Sequence, residues 1–102
     1  MVTMSDLTIS KLTEQMHALV KSKGWYEADS KRPQTPRNLA VSLSIEAAEI
    51  LEHFQFTEKI RNRDELGSEL ADVLLYLLQL ASVSGIDLED AVAPGDKESA
   101  RA

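Results

Sequence analysis

The chain contains no cysteine, so it has neither a disulfide scaffold nor a thiolate to hold a metal. Basic residues are scarce too: 11 Lys and Arg stand against 17 Asp and Glu, for a net charge of −6. Phosphate backbones demand a basic patch, so a nucleic-acid polymer is not an expected partner. A small anionic ligand stays open if a metal ion supplies positive charge locally. Long apolar runs are absent, the longest unbroken one being only a few residues, well short of the ~20 that a membrane helix needs. The first residues lack the basic-then-apolar layout of a secretion signal, which makes a cytoplasmic location without a membrane partner the expectation. No alternating strand pattern, internal repeat or low-complexity block occurs. The length of 102 residues suits one domain with a modest core.

What is present is helical periodicity. Ile9, Leu12, Met16, Leu19 and Val20 recur at intervals of three and four, which predicts a first helix over about 7–23, capped by Ser5 or Thr8 and stopped by Gly24. Residues 25–35 form the one long connection. Its aromatic pair, Trp25 and Tyr26, reads as a hydrophobic lid or as a surface on which a flat base could stack. Pro36 suits the first turn of a second helix over about 36–56, and Thr57 is expected to cap a short turn as far as Asn62. Asn62 with Glu65 three residues on resembles a capping box for a third helix that ends near Ser84, before Gly85. Gly67 inside it is expected to permit close approach of a neighbour. A short fourth piece over 86–93 starts at Asp87 and is halted by Pro94 and Gly95. The expectation is one all-α domain over 1–102, a bundle of three main helices and a short C-terminal one, with 1–5 and 94–102 flexible.

Two stretches organise the rest: 39–56, LAVSLSIEAAEILEHFQF, and 65–83, ELGSELADVLLYLLQLASV. Each carries acids three residues apart, Glu46 with Glu49 and Glu69 with Asp72, and residues so spaced share one helix face. At about 100° per residue, Glu49 and His53 border the side of the second helix that carries Leu39, Leu43, Ile50 and Phe54. On the third helix Glu65, Glu69, Asp72, Tyr76 and Gln79 form a narrow polar strip on an otherwise apolar cylinder, the signature of a buried helix. Two long helices and a short one can hardly cover so wide an apolar arc, so self-association as a homodimer or homotetramer is expected to complete the bundle.

Four carboxylates around one point suit Mg²⁺, which takes oxygen ligands and shares its sphere with water and phosphate. Glu46, Glu49, Glu69 and Asp72 are the candidate ligands, and Glu49 is also the candidate base for a water proton. The bland alternative is a pair of solvated helix faces. It fits Glu46 and Glu49 taken alone, and fits Glu69 and Asp72 less because their helix is otherwise apolar. His53 reads as a hydrogen-bonded partner of this strip. Lys59, Arg61 and Arg63 read as a charged loop within reach of phosphate oxygens. Glu14 and His17 form one Glu-x-x-His pair, whereas a di-iron bundle needs two.

Glu46-x-x-Glu49, a gap of about twenty residues, then Glu69-x-x-Asp72 followed by VLLYLL, resembles the signature of the MazG-like all-α nucleoside triphosphate pyrophosphohydrolases. PRNLAVSLSIEAAEILEHFQF is similar to the branch that includes dCTP pyrophosphatase. The resemblance spans about 36–92. It implies Mg²⁺-dependent cleavage between the α- and β-phosphates of a nucleoside triphosphate, such as a pyrimidine deoxynucleotide, to a monophosphate and pyrophosphate. It also implies Glu46, Glu49, Glu69 and Asp72 as metal ligands, a site completed by a second subunit, and substrate contacts from Asn38, Phe56 and Tyr76, with Trp25 a looser match. Ile45 and Ser68 stand where many members carry acids, and Phe56 where the dCTP branch usually has Trp. After IDLEDAV this chain continues Ala93-Pro94-Gly95 instead of a helix bearing Lys, Asn and Tyr. These departures keep a catalytically silent helical dimer, binding a nucleotide or a protein, as the alternative.

Overall fold

Thr8 sets the start of the first helix: its side-chain oxygen accepts the amide of Lys11 at 3.0 Å, capping α1 over Ile9–Ser22. The computed structural model describes residues 7–93. Three further helices follow, α2 over Pro36–Glu52, α3 over Arg63–Val83 and α4 over Leu88–Val92. No strand occurs among the described residues, and the all-α bundle of three long helices and a short one is the expected class. The flexible segments expected over 1–5 and 94–102, the cap at Ser5 and the stop at Pro94 lie outside the described residues.

Two glycines close helices in the same way. Gly24 takes φ +73° and Gly85 φ +71°, the left-handed conformation that costs glycine nothing. Beyond Gly24 the Trp25 amide reaches back to the Val20 carbonyl at 3.3 Å, and beyond Gly85 the Ile86 amide reaches the Ala81 carbonyl at 2.8 Å. Both are Schellman closures, which bring the residue after the glycine back over the last turn. Trp25 is thereby placed against the core formed by Met16, Val20 and Leu78, joined by Leu12 and Leu75.

Pro36 occupies the first turn of α2, and Thr35 caps it by accepting the Asn38 amide at 3.2 Å. Asn62 caps α3 by accepting the Glu65 amide at 3.0 Å, and Asp87 caps α4 by accepting the Asp90 amide at 3.0 Å. The second helix ends four residues earlier than its periodicity predicts, at Glu52. The amides of His53 and Phe54 tighten onto the carbonyls of Ile50 and Leu51, a 3₁₀-like finish that turns His53 inward. The Thr57 hydroxyl accepts the Lys59 amide at 3.1 Å, closing a turn that is shorter than the one expected as far as Asn62, within an irregular connector.

α3 packs mainly on α2 and secondarily on α1. Contrary to the buried helix expected, only Leu78, Gln79 and Ala81 of α3 are buried. Leu70, Leu74 and Leu77 are 51%, 42% and 39% exposed, beside Val41 at 51% and Ile45 at 54% on α2. The reason is geometric: α1 and α2 cover two sectors of α3 and leave the third bare. α3 is also long and apolar enough to cross a membrane by length and composition, although no unbroken apolar run in it is that long. Gly67 has open space where a Cβ would stand, so within this chain it permits no close approach of a neighbour.

Candidate active site

The packing of α2 on α3 settles where the acid pairs go. Glu46 hydrogen-bonds Glu49 on its own helix and feels the charges of Asp72 and Glu69 on the facing one. The four carboxyls therefore share one locality. Burial first, then the charge of Glu49, lift the Glu46 carboxyl above its ordinary pKa, with the Glu49 hydrogen bond, Asp72 and Glu69 adding in the same direction. Carboxyls crowded this way repel one another when ionised, a repulsion that a cation between them relieves.

The acidic locality continues along α3 toward the end of α2. His53, Glu65 and Glu69 offer ligand atoms that all lie within 4.8 Å of one another, a group that could hold a metal ion. His53 is 7% exposed, and its Nε2 lies 2.5 Å from Glu69 Oε2. A cavity of about 350 Å³ opens here, lined by Glu49, His53, Glu65 and Glu69 together with Arg61. Lys59 and Arg63 do not line it, so of the charged loop only Arg61 is brought to the acids.

Two further cavities meet the other end of the cluster. One of about 200 Å³ is lined by Glu46 and Asp72 with Lys23, Trp25, Tyr76 and Gln79. Its neighbour, of about 270 Å³, shares Trp25 and Tyr76 and adds Arg32, Gln34, Asn38 and Ser42. Carboxylates, a cationic side and an aromatic-walled recess thus follow one another along the α2–α3 seam. Trp25 carries cations over its ring, Arg32 at 4.3 Å and Lys23 at 5.5 Å from the centroid.

Residues 34–99 match the MazG nucleotide pyrophosphohydrolase domain. The chain belongs to the MazG family. Over 75 aligned residues it is 36% identical to dCTP pyrophosphatase 1 of Bos taurus, covering 65% of this chain and 44% of the relative, and the Mus musculus protein of the same name matches equally. The chain thus spans less than half the length of these curated relatives. A solved pyrophosphatase structure from Archaeoglobus fulgidus is 37% identical, with a TM-score of 0.71 over 91% of this chain and 89% of that one.

Within this MazG chain, Glu46, Glu49, Glu69 and Asp72 are brought together, and Trp25, Asn38 and Tyr76 line one recess beside them. Phe56 is separated from that set: it lies past the early end of α2, is 90% exposed, and lines none of the three cavities. Asn38 spends its side-chain amide on the Pro33 carbonyl at 3.0 Å, so it also shapes the loop in front of α2. Glu14 and His17 do not form half of a metal site. His17 spends both ring nitrogens on protein, Nδ1 2.5 Å from Tyr26 Oη and Nε2 2.7 Å from Ser82 Oγ.

Glu65 and Lys23 join the site beyond the residues that spacing and resemblance point to, and Arg61 is the member of the charged loop that reaches it. Glu65 carries a readable signal, since it precedes Glu69 by one helical turn on the same polar strip. Lys23 carries none, because its cavity forms only where the end of α1 meets the other helices.

Proposed function

We propose that this chain hydrolyses a nucleoside triphosphate between its α- and β-phosphates, releasing a nucleoside monophosphate and pyrophosphate. The observation that carries the reading is the convergence of Glu46, Glu49, Glu69 and Asp72 from two helices beside a recess walled by Trp25 and Tyr76. The donor set is oxygen only, and the crowding that lifts Glu46 is the kind a divalent cation relieves, so the residues fit Mg²⁺. Glu46, Glu49, Glu69 and Asp72 would hold it, with Glu65 beside them. When bound, the cation supplies charge neutralisation of the triphosphate and acidifies a coordinated water.

The remaining work falls to the protein. Glu49, which faces both the acid cluster and the Arg61 cavity, accepts the proton of the attacking water. Lys23 and Arg61 meet phosphate oxygens at opposite ends of the acid strip. Trp25, Asn38 and Tyr76 hold the nucleoside, and similarity to dCTP pyrophosphatase 1 favours a pyrimidine deoxynucleotide such as dCTP. The bare apolar sector of α3 is closed by a second copy of the chain, as a homodimer or a dimer of dimers. Phe56, nearly fully exposed, then contributes across the interface. A role in clearing surplus or modified nucleotides inside the cytoplasm follows from this chemistry.

The test is turnover of a panel of nucleoside triphosphates with Mg²⁺, scored by pyrophosphate release. Pyrophosphate from at least one nucleotide is expected. Folded, pure protein that releases none, yet binds a non-hydrolysable analogue, would replace the enzyme with a silent nucleotide-binding scaffold.

A further inference from the structure

Gln79 is the anomaly of α3. It is a carboxamide only 2% exposed on the most apolar helix of the molecule, and the chemistry above makes no use of it. A buried amide is retained only when its polar atoms are matched, and its Nε2 is: one bond goes to Gln34 Oε1 at 2.7 Å and another to Tyr26 Oη at 3.3 Å. Both amide hydrogens are thereby committed to the connection between α1 and α2.

Each bond leads further. Gln34 donates its own amide to the Arg32 carbonyl at 2.5 Å, which fixes the backbone at the residue whose guanidinium lies over Trp25. On the other branch Tyr26 sits 2.5 Å from His17 Nδ1, and His17 Nε2 sits 2.7 Å from Ser82 Oγ. The network is satisfied when the Tyr26 hydroxyl donates to Nδ1 and the Nε2 hydrogen goes to Ser82. Burial raises the Tyr26 pKa, and the Gln79 bond offsets part of that rise. Five side chains from α1, the connection and α3 thus form one chain of bonds, with Gln79 at its only fully buried point.

From this we infer that Gln79 is a positioning residue that clamps the 25–34 connection, holding Trp25 and Arg32 as the wall of the recess that receives the nucleoside. The inference rests on the proposed nucleotide hydrolysis for its functional half. Gln79 touches no reacting atom in this account; it decides how well the recess is formed before the nucleotide arrives. Losing it should weaken nucleotide binding and leave the acid cluster intact.

Trp25 is the chain's one tryptophan, so its emission reports this wall directly. The experiment compares wild type, Gln79→Leu and the milder Tyr26→Phe as full chains. Readouts are acrylamide quenching of Trp25, the thermal shift on adding Mg²⁺, and KM and kcat for whichever nucleotide wild type turns over. In Gln79→Leu we expect roughly twofold or greater easier quenching of Trp25 and a KM raised about tenfold. We expect kcat within about threefold of wild type and an unchanged Mg²⁺ shift. Tyr26→Phe should move the same readouts in the same direction by less, and it decides the matter if Gln79→Leu does not fold. Unchanged quenching in both variants would overturn the clamp. Easier quenching with unchanged KM, or a kcat that falls while KM holds, would overturn its role in forming the recess. If wild type neither binds nor turns over any nucleotide, the hydrolase reading fails along with the functional half of the inference, and quenching still judges the clamp.

Discussion

The imidazole of His53 and the carboxylate of Glu69 meet with Nε2 2.5 Å from Oε2, both side chains largely shielded from water. The contact ties the end of α2 to the second turn of α3 and fixes the orientation of one acid of the cluster. A partner that orients a ligating carboxylate typically matters about 10–100-fold in metal affinity. His53→Ala should therefore weaken Mg²⁺ binding by about that factor, read by calorimetric titration. It should also lower stability by about 1–3 kcal/mol through the lost buried bond. Unaltered Mg²⁺ affinity would mean that Glu69 is held by other groups.

Glu49→Gln and Asp72→Asn should separate two roles. If Glu49 accepts the water proton as well as helping to hold the ion, Glu49→Gln should cut turnover by about 10²–10⁴-fold while weakening, without abolishing, the thermal shift produced by Mg²⁺. Asp72→Asn removes a candidate ligand outright and should abolish both. Equal loss of the Mg²⁺ shift in the two variants would place Glu49 among the ligands only.

The raised pKa of Glu46 gives a sign for pH dependence. A carboxyl whose pKa is higher in the folded than in the unfolded protein favours folding while it is protonated, and that contribution is lost as pH rises through the folded value. Without divalent cations, Glu46→Gln should therefore stabilise the protein near neutral pH. The gain should shrink as pH falls into the carboxylate range. Thermal melts of both proteins across that range, in chelator, would show it. A gain that grows on acidification would contradict the crowding of Glu46 by burial and Glu49.

Charge placed on the bare sector should break the proposed self-association. Leu74 and Ile45 are exposed on adjoining helices, and Leu74→Asp or Ile45→Asp should convert the assembly to monomer in sedimentation experiments. A wild-type chain that sediments as a monomer at micromolar concentration would remove the proposed second copy.

Leu39 is a control inside the fold. It is 2% exposed at the first turn of α2, and truncation to Ala should cost about 2–5 kcal/mol. Chemical denaturation would measure this, with Mg²⁺ binding retained by the fraction that stays folded.

Much of this molecule can be read from residue type and spacing. Thr8, Asn62, Asp87 and the two stopping glycines announce their helix ends because caps and left-handed turns are local chemistry. The acid pairs are legible for a related reason: a three-residue interval on a helix fixes a face. What escapes is whatever depends on tertiary contact. α2 stops at Glu52 without a glycine or proline to signal it, because His53 turns in to reach Glu69. Phe56 consequently leaves the set of residues with which the family resemblance grouped it. The polar strip of α3 shows that Gln79 breaks an apolar surface but not that it reaches Gln34 and Tyr26, which stand 45 and 53 residues away.

Between His53 and Asn62 the backbone is irregular, and the two acid pairs stand on either side of it. Their meeting is set by how α2 lies on α3, so the number of residues in this bridge is free to drift while the carboxylates stay where they are. A lineage can lengthen or trim this span ahead of Arg61, or graft new loops onto it, while the four carboxylates keep their places. Insertions of equal size within α2 or α3 would rotate an acid off its face and erase the centre in one step.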